Sequence, residues 1–325
     1  MLMSVLLFAV GLVLLIKGGD WFVDGATGIA KRFNLPDIVV GATVVSIGTT
    51  LPEVMVSTTG ALQGSGAMAY GNAIGSIICN TALIAAISII CNPGPVNTKS
   101  MKTPAIFFFC SAALYCLASY VLGEFPRWMG FVMLGIFVVY TVLTVRNGLK
   151  NPDEADHEEE EEGGKPRTLV QELLLLVVGA AVIAVGADLL VEHGQVIALG
   201  LGVPETVVAL LFVALGTSLP ELVTTITSLR SGHASLGVGN VIGANVFNLV
   251  LVSGVAVSLA PFKVPCENFL LNTGLNMSLV FEIPVMLGVM SLMIFPTLAS
   301  KKLARWQGIA LLAIYVAFCV CQFVL

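Results

Sequence analysis

The sequence predicts an all-α membrane protein: ten transmembrane helices in two inverted-topology five-helix repeats, with broken helices at mid-membrane. Three observations predict it. The 325-residue chain is 57% hydrophobic and 11% charged, with a mean hydropathy of +0.97, whereas a water-soluble domain carries about 25% charged residues. The apolar residues gather into runs of about 20, the length that crosses ~30 Å of hydrocarbon as a helix. Two stretches then recur at a gapless offset of 168: "IGTTLPE" (47–53) over "LGTSLPE" (215–221), and "GNAIGSIICN" (71–80) over "GNVIGANVFN" (239–248).

Taken in order, the predicted spans are 2–23, 37–61, 68–91, 104–122 and 128–145, then 169–191, 204–229, 236–260, 277–297 and 306–324. No secretory-type cleavage site follows the first run, so it reads as a retained span. Residues 1–146 form the first repeat and 169–325 the second. Asp20 over Asp188 and Pro36 over Pro204 extend the same offset. Five spans is an odd number, so the second copy enters the membrane from the opposite side, as in many secondary transporters.

Basic residues orient the chain. With the N-terminus outside, the inner loops hold Lys31, Arg32, Lys99, Lys102, Arg146, Lys150, Lys165, Arg167, Arg230, Lys301, Lys302 and Arg305, and the outer loops only Arg127 and Lys263. Twelve against two follows the positive-inside rule and puts both termini on the non-cytoplasmic side. The segment 147–168 becomes a cytoplasmic linker. Its Asp153, Glu154, Asp156 and Glu158 through Glu162 repel one another and read as a solvated connection. It lacks the ligand spacing of a calcium-binding loop, and no glycine loop carries the lysine of a phosphate site. The seven cysteines are scattered and read as small core residues rather than disulfides or metal ligands.

The best-matched residues are polar ones in apolar surroundings. Pro52 and Pro220 each remove a backbone donor and obstruct the carbonyl one turn back, and Gly48 and Gly216 loosen the chain just before them. A helix broken at membrane depth survives only where protein or a polar cavity satisfies the freed groups. Glu53 and Glu221 follow at once, and a carboxylate at that depth is costly and usually functional. Thr49 lies four residues before Glu53 and Thr217 four before Glu221, so each pair shares a helix face. Thr50 and Ser218 lie three before. A second stripe carries Asn72, Ser76 and Asn80, matched by Asn240, Ala244 and Asn248, with Asn245 as an extra amide. The hydroxyls could instead bond locally, and the amides could cross-link helices. As ligands, all offer oxygen. That suits calcium or the similarly sized, hard sodium ion and argues against zinc or copper.

These motifs resemble those of the calcium/cation antiporter superfamily, most closely the prokaryotic sodium/calcium exchangers, and the resemblance covers nearly the whole chain. Its specific part is the pair of alpha repeats, here 41–90 and 209–258. The resemblance implies a cation-binding set of Thr49, Thr50, Glu53, Ser76 and Asn80 with Thr217, Ser218, Glu221 and Asn248, the metal resting chiefly on Glu53, Glu221, Thr49 and Thr217. Backbone carbonyls near Ser46 and Ala214 are expected to join them. It also implies sodium–calcium counter-transport in a prokaryotic inner membrane, the first and sixth helices sliding past a rigid core. Ala244 departs from the family serine. Asn248 stands where some members carry an acid, which weakens a potassium-dependent reading and leaves stoichiometry open. The expected ligands are therefore calcium, sodium and the lipid bilayer, with no cofactor, no nucleic acid and no enzymatic activity. The oligomeric state is not read from the sequence, and a monomer is compatible with it. Two other readings stay open: a proton-driven antiporter of calcium or another divalent cation, and, in a different class, a cation channel or a non-transporting scaffold.

Overall fold

The structure is a computed structural model describing residues 2–150, 167–201, 216–265 and 276–324. Eleven helices are described: α1 (Leu2–Phe33), α2 (Asp37–Thr49), α3 (Leu51–Leu62), α4 (Gly66–Cys91), α5 (Thr98–Leu122), α6 (Arg127–Lys150), α7 (Leu169–Gly200), α8 (Leu219–Arg230), α9 (Ala234–Leu259), α10 (Ser278–Ser300) and α11 (Arg305–Val324). Among the described residues eight helices are long and apolar enough to cross a membrane, or nine if α2 and α3, bent by 45° at Thr50, count as one broken span. Residues 204–215 of the sequence's seventh span lie outside the described residues. Its described part, α8, is one half-helix.

The first and sixth spans are longer than their apolar runs suggest. Both α1 and α7 have 32 residues, about 48 Å at 1.5 Å per residue. The excess lies partly at the basic end, where Arg32 donates to Glu172 at 2.7 and 3.1 Å. The two helices pack along their length through glycines. A Cβ at Gly11 would meet the Gly186 carbonyl, one at Gly186 the Gly11 carbonyl, and one at Gly179 the Gly18 carbonyl, each at 2.9 Å. Small faces let backbones approach where no water drives association.

The α4 and α9 spans form the centre: 72% and 83% of their apolar windows are buried, against 17–39% for the other long helices. The offset of 168 carries α3 onto α8, α4 onto α9, and strand β1 (Gly94–Pro95) onto β3 (Phe262–Lys263). The strand pairs cross between halves: β1 pairs antiparallel with β4 (Lys302–Leu303), and β2 (Glu124–Phe125) with β3. Exchanging the halves exchanges these two pairs, as it exchanges the Gly11–Gly186 contact for Gly18–Gly179. Each two-residue ribbon satisfies loop backbone at the end of a span. The β2–β3 pair is capped by Tyr70, Tyr115, Phe125 and Phe262, with neighbouring ring centroids 4.7–6.0 Å apart.

Both central helices widen to a π-helix at the asparagine: Asn80–Ala85 in α4 and Asn248–Val252 in α9. A third π stretch, Gly41–Val45, lies in α2. Such bulges displace the ladder by one residue and free backbone oxygens to neighbouring hydroxyls. Thus Ser46 Oγ donates to the Gly41 carbonyl at 2.8 Å and Ser253 Oγ to the Asn248 carbonyl at 2.9 Å.

Candidate cation site between the two halves

The prolines do not bend a continuing helix; each opens a new one. Pro52 and Pro220 lie in the first turn of α3 and α8, after Thr50 and Ser218. There a missing N–H costs nothing and the fixed φ suits the helix. Glu53 and Glu221 fall in the same first turn, at the positive end of the half-helix dipole. The break thus aims a carboxylate, a chain turn and an amide-rich helix end into the interior.

Burial there is complete. Glu53, Glu221, Thr50, Asn80, Asn240 and Asn248 are 0% exposed, Ser218 1%, Thr49 2% and Ser76 3%. Thr217 is half-buried. The two carboxylates lie near enough to repel each other, and Thr49 and Thr50 of the first half lie beside Glu221 of the second.

Two layers of polar groups can be told apart. The outer layer is hydrogen-bonded, with Asn240 Nδ2 left over among the described residues. Thr49 Oγ1 donates to Asn240 Oδ1 at 3.2 Å, and its repeat counterpart Thr217 Oγ1 donates to Asn72 Oδ1 at 3.3 Å. Asn72 Nδ2 in turn donates to Ser57 Oγ at 2.8 Å and the Glu53 carbonyl at 3.3 Å. Ser46 Oγ also reaches the Asn240 carbonyl at 3.0 Å. Each half's threonine is therefore oriented by the other half's asparagine, keeping lone pairs on the threonine oxygen for a ligand.

The inner layer is not satisfied. Among the described residues, both carboxylate oxygens of Glu53 and of Glu221, the hydroxyls of Thr50 and Ser218, and both amide atoms of Asn80 and Asn248 have no hydrogen-bond partner. Buried polar groups are ordinarily paired, and two unpaired carboxylates in low dielectric are strongly unfavourable. A cation supplies what they lack: it binds oxygens only, neutralises charge and needs no donor from the protein. Among the described residues no group of three or more His, Cys, Asp and Glu converges, so the donor set is hard oxygen on two carboxylates.

The structure places Thr49, Thr50, Glu53, Ser76, Asn80, Ser218, Glu221 and Asn248 as buried residues on the broken and central helices, with Thr217 half-buried. The Ser46 carbonyl accepts the Thr50 N–H at 3.0 Å and keeps one lone pair. Ala214 lies outside the described residues. The orienting role of Asn72 and Asn240 was not legible in the stripe, because helix spacing gives a residue's face but not its cross-helix partner.

Three comparisons bear on this arrangement. A family model described as sodium/calcium exchanger protein matches residues 3–146 and 172–324. The sodium/calcium exchanger MaX1 of Methanosarcina acetivorans is 30% identical, the match covering 98% of each chain. An uncharacterized membrane protein of Methanocaldococcus jannaschii is 34% identical over 95% of this chain and 94% of its own. The inner membrane protein YrbG of Escherichia coli is 31% identical over 81% and 82%. Among solved structures, the sodium-calcium exchanger NCX_Mj soaked with sodium and strontium superposes with a TM-score of 0.79, at 32% identity and 97% coverage of both chains.

Proposed function

The chain belongs to the sodium/calcium exchanger protein family, and from that premise we propose that it is a secondary active antiporter expelling calcium in exchange for sodium by alternating access. It is an integral membrane transporter, not an enzyme. The observation that carries the proposal is the pair of fully buried carboxylates, Glu53 and Glu221, whose four oxygens lack partners among the described residues. Two carboxylates balance one calcium ion or accommodate two or three sodium ions. Thr49, Thr50, Ser76 and Asn80 from one repeat, with Thr217, Ser218 and Asn248 from the other and the carbonyls of Ser46 and Ala214, complete an oxygen shell. An ion-free site leaves two charges facing each other in low dielectric. That penalty hinders the empty carrier from switching sides and couples the two fluxes.

The proposed topology is ten spans in two inverted repeats, 1–146 and 169–325, joined by the cytoplasmic linker 147–168, with both termini non-cytoplasmic in the prokaryotic inner membrane. The exchange of strand pairs and glycine contacts between halves supports it. So does the grouping of loops: β1 with β4 at the basic end, β2 with β3 at the other.

Calcium-45 uptake into proteoliposomes tests the reading, with sodium, potassium and proton gradients imposed in turn. The expected result is accumulation driven by an outward sodium gradient. Accumulation driven only by protons would overturn sodium as counter-ion, and flux needing no counter-gradient would overturn antiport altogether.

A further inference from the structure

The two central helices hold their π stretches by different means. In α9 the bulge is held within its own helix, where Ser253 Oγ donates to the Asn248 carbonyl at 2.9 Å. The matching residue of α4 is Ala85, which has no hydroxyl to offer. There the tie comes from the other half. Asn245 Nδ2 of α9 donates to Thr81 Oγ1 at 2.7 Å and to Met290 Sδ of α10 at 3.1 Å, and Thr81 Oγ1 donates to the same sulfur at 3.2 Å. All three residues are buried. A thioether only accepts, so the sulfur fixes which way both the hydroxyl and the amide point. Thr81 is thereby pinned inside the Asn80–Ala85 stretch, next to Asn80.

The offset of 168 puts Ile77 in the place of Asn245 and Leu249 in that of Thr81, so apolar side chains fill the matching positions. Packing alone therefore does not ask for a polar pair. This one also leaves Asn245 Oδ1 buried with no hydrogen-bond partner among the described residues, which is costly. Asn80 gives the pair a use. Its own amide atoms lack partners among the described residues, so the backbone that carries it must set its orientation. We infer that Thr81 and Asn245 are positioning residues of the cation site: with Met290 they fix the α4 bulge, and through it the Asn80 amide, from the opposite half. The inference rests on the proposed function, since it takes Asn80 as a cation ligand. It gives the repeats unequal parts. The Asn80 oxygen depends on how α4 docks against α9 and α10, the Asn248 oxygen on a bond inside α9.

The test is equilibrium binding of calcium-45 to the purified full-length protein in sodium-free detergent solution, which does not depend on transport. T81V keeps the shape of the side chain and loses the hydroxyl, T81S keeps the hydroxyl, and N245L removes the amide. T81V and N245L are expected to raise the calcium Kd by roughly five-fold or more, with T81S returning close to wild type. N80A removes one neutral oxygen and leaves both carboxylates, so calcium still binds. On that background T81V is expected to add less than about two-fold, because it acts through Asn80. A merely structural pair would lower the thermal midpoint of the ion-free protein without moving Kd, or would weaken binding equally with and without Asn80. An unchanged Kd in T81V and N245L overturns the inference, as does a T81S no tighter than T81V, or a T81V effect that adds in full on N80A. A wild type that binds no calcium would remove the calcium reading of the site, and this inference with it. If the expected differences appear while calcium exchange ignores sodium, the positioning role stands and the sodium antiport reading falls.

Discussion

Glu53 and Glu221 carry the charge at the centre of the molecule, and among the described residues no group pairs with their oxygens. Replacing either with Gln keeps volume and one oxygen but removes the charge that holds a divalent cation. E53Q and E221Q are each expected to lower calcium exchange by roughly a hundred-fold, about 3 kcal/mol, while elution from size exclusion stays unchanged. Wild-type exchange in both would remove the two-carboxylate site. A subtler expectation comes from Ser76 and Ala244, which occupy equivalent positions on α4 and α9, both buried. A244S adds an oxygen beside Gly243, where the Ser46 hydroxyl and the backbone of Ala42 already crowd the helix. Sodium, being monovalent, gains less from the carboxylates than calcium does and leans more on neutral oxygens. Half-saturating sodium for calcium release is therefore expected to fall by about two- to ten-fold in A244S and to rise in S76A. Unchanged values in both would put that stripe outside the coordination shell.

At the scale of the element, the helix break was legible because proline chemistry is local: Pro52 and Pro220 announce a first turn wherever they stand. The π stretches at Asn80 and Asn248 were not, because one extra residue per turn leaves no compositional mark and is settled by packing. Close approach was legible only in part. The Gly239–Gly243 spacing signals a small face, but not which backbone it meets, and at the equally spaced Gly71 and Gly75 no described atom lies within 4 Å of an added Cβ. In α9 that partner is α2: a Cβ at Gly239 would overlap the Ile38 carbonyl, and one at Gly41 the Leu236 carbonyl. Backbone atoms cannot rotate away as side chains do. Gly239→Ala is expected to cost about 1–3 kcal/mol through forced helix separation. The control is Gly135→Ala, at an exposed position on α6 with no heavy atom of the described residues within 4 Å of the added Cβ, which should cost nothing. A thermal-shift measurement in detergent separates them, and equal stability of the two variants would show that the α2–α9 contact relaxes freely.

At the scale of the whole molecule, the halves are not two domains resting side by side. The ribbons β1–β4 and β2–β3 each take one strand from each half. Arg32 of α1 clasps Glu172 of α7, Asp37 of α2 meets His233 at the start of α9 at 2.6 Å, and Thr49 and Thr217 reach asparagines of the opposite half. None of this interlock was readable from the repeat, which reports kinship between segments and not their docking. Its consequence concerns the acidic linker. If the contacts between halves hold them together, the covalent connection mainly sets their local concentration, and loop length enters closure only logarithmically. Deleting 153–162 removes eight acids and takes the formal net charge from −5 to +3, yet every residue of the site lies elsewhere. Calcium exchange by correctly inserted protein is then expected to stay within roughly two-fold of wild type, and the calcium and sodium dependences should be unmoved. Two-fold is the margin that a modest closure penalty allows. Loss of flux with folding intact would mean that the acids act on transport, and an altered calcium dependence alone would mean that they gather the ion on the linker's side of the membrane.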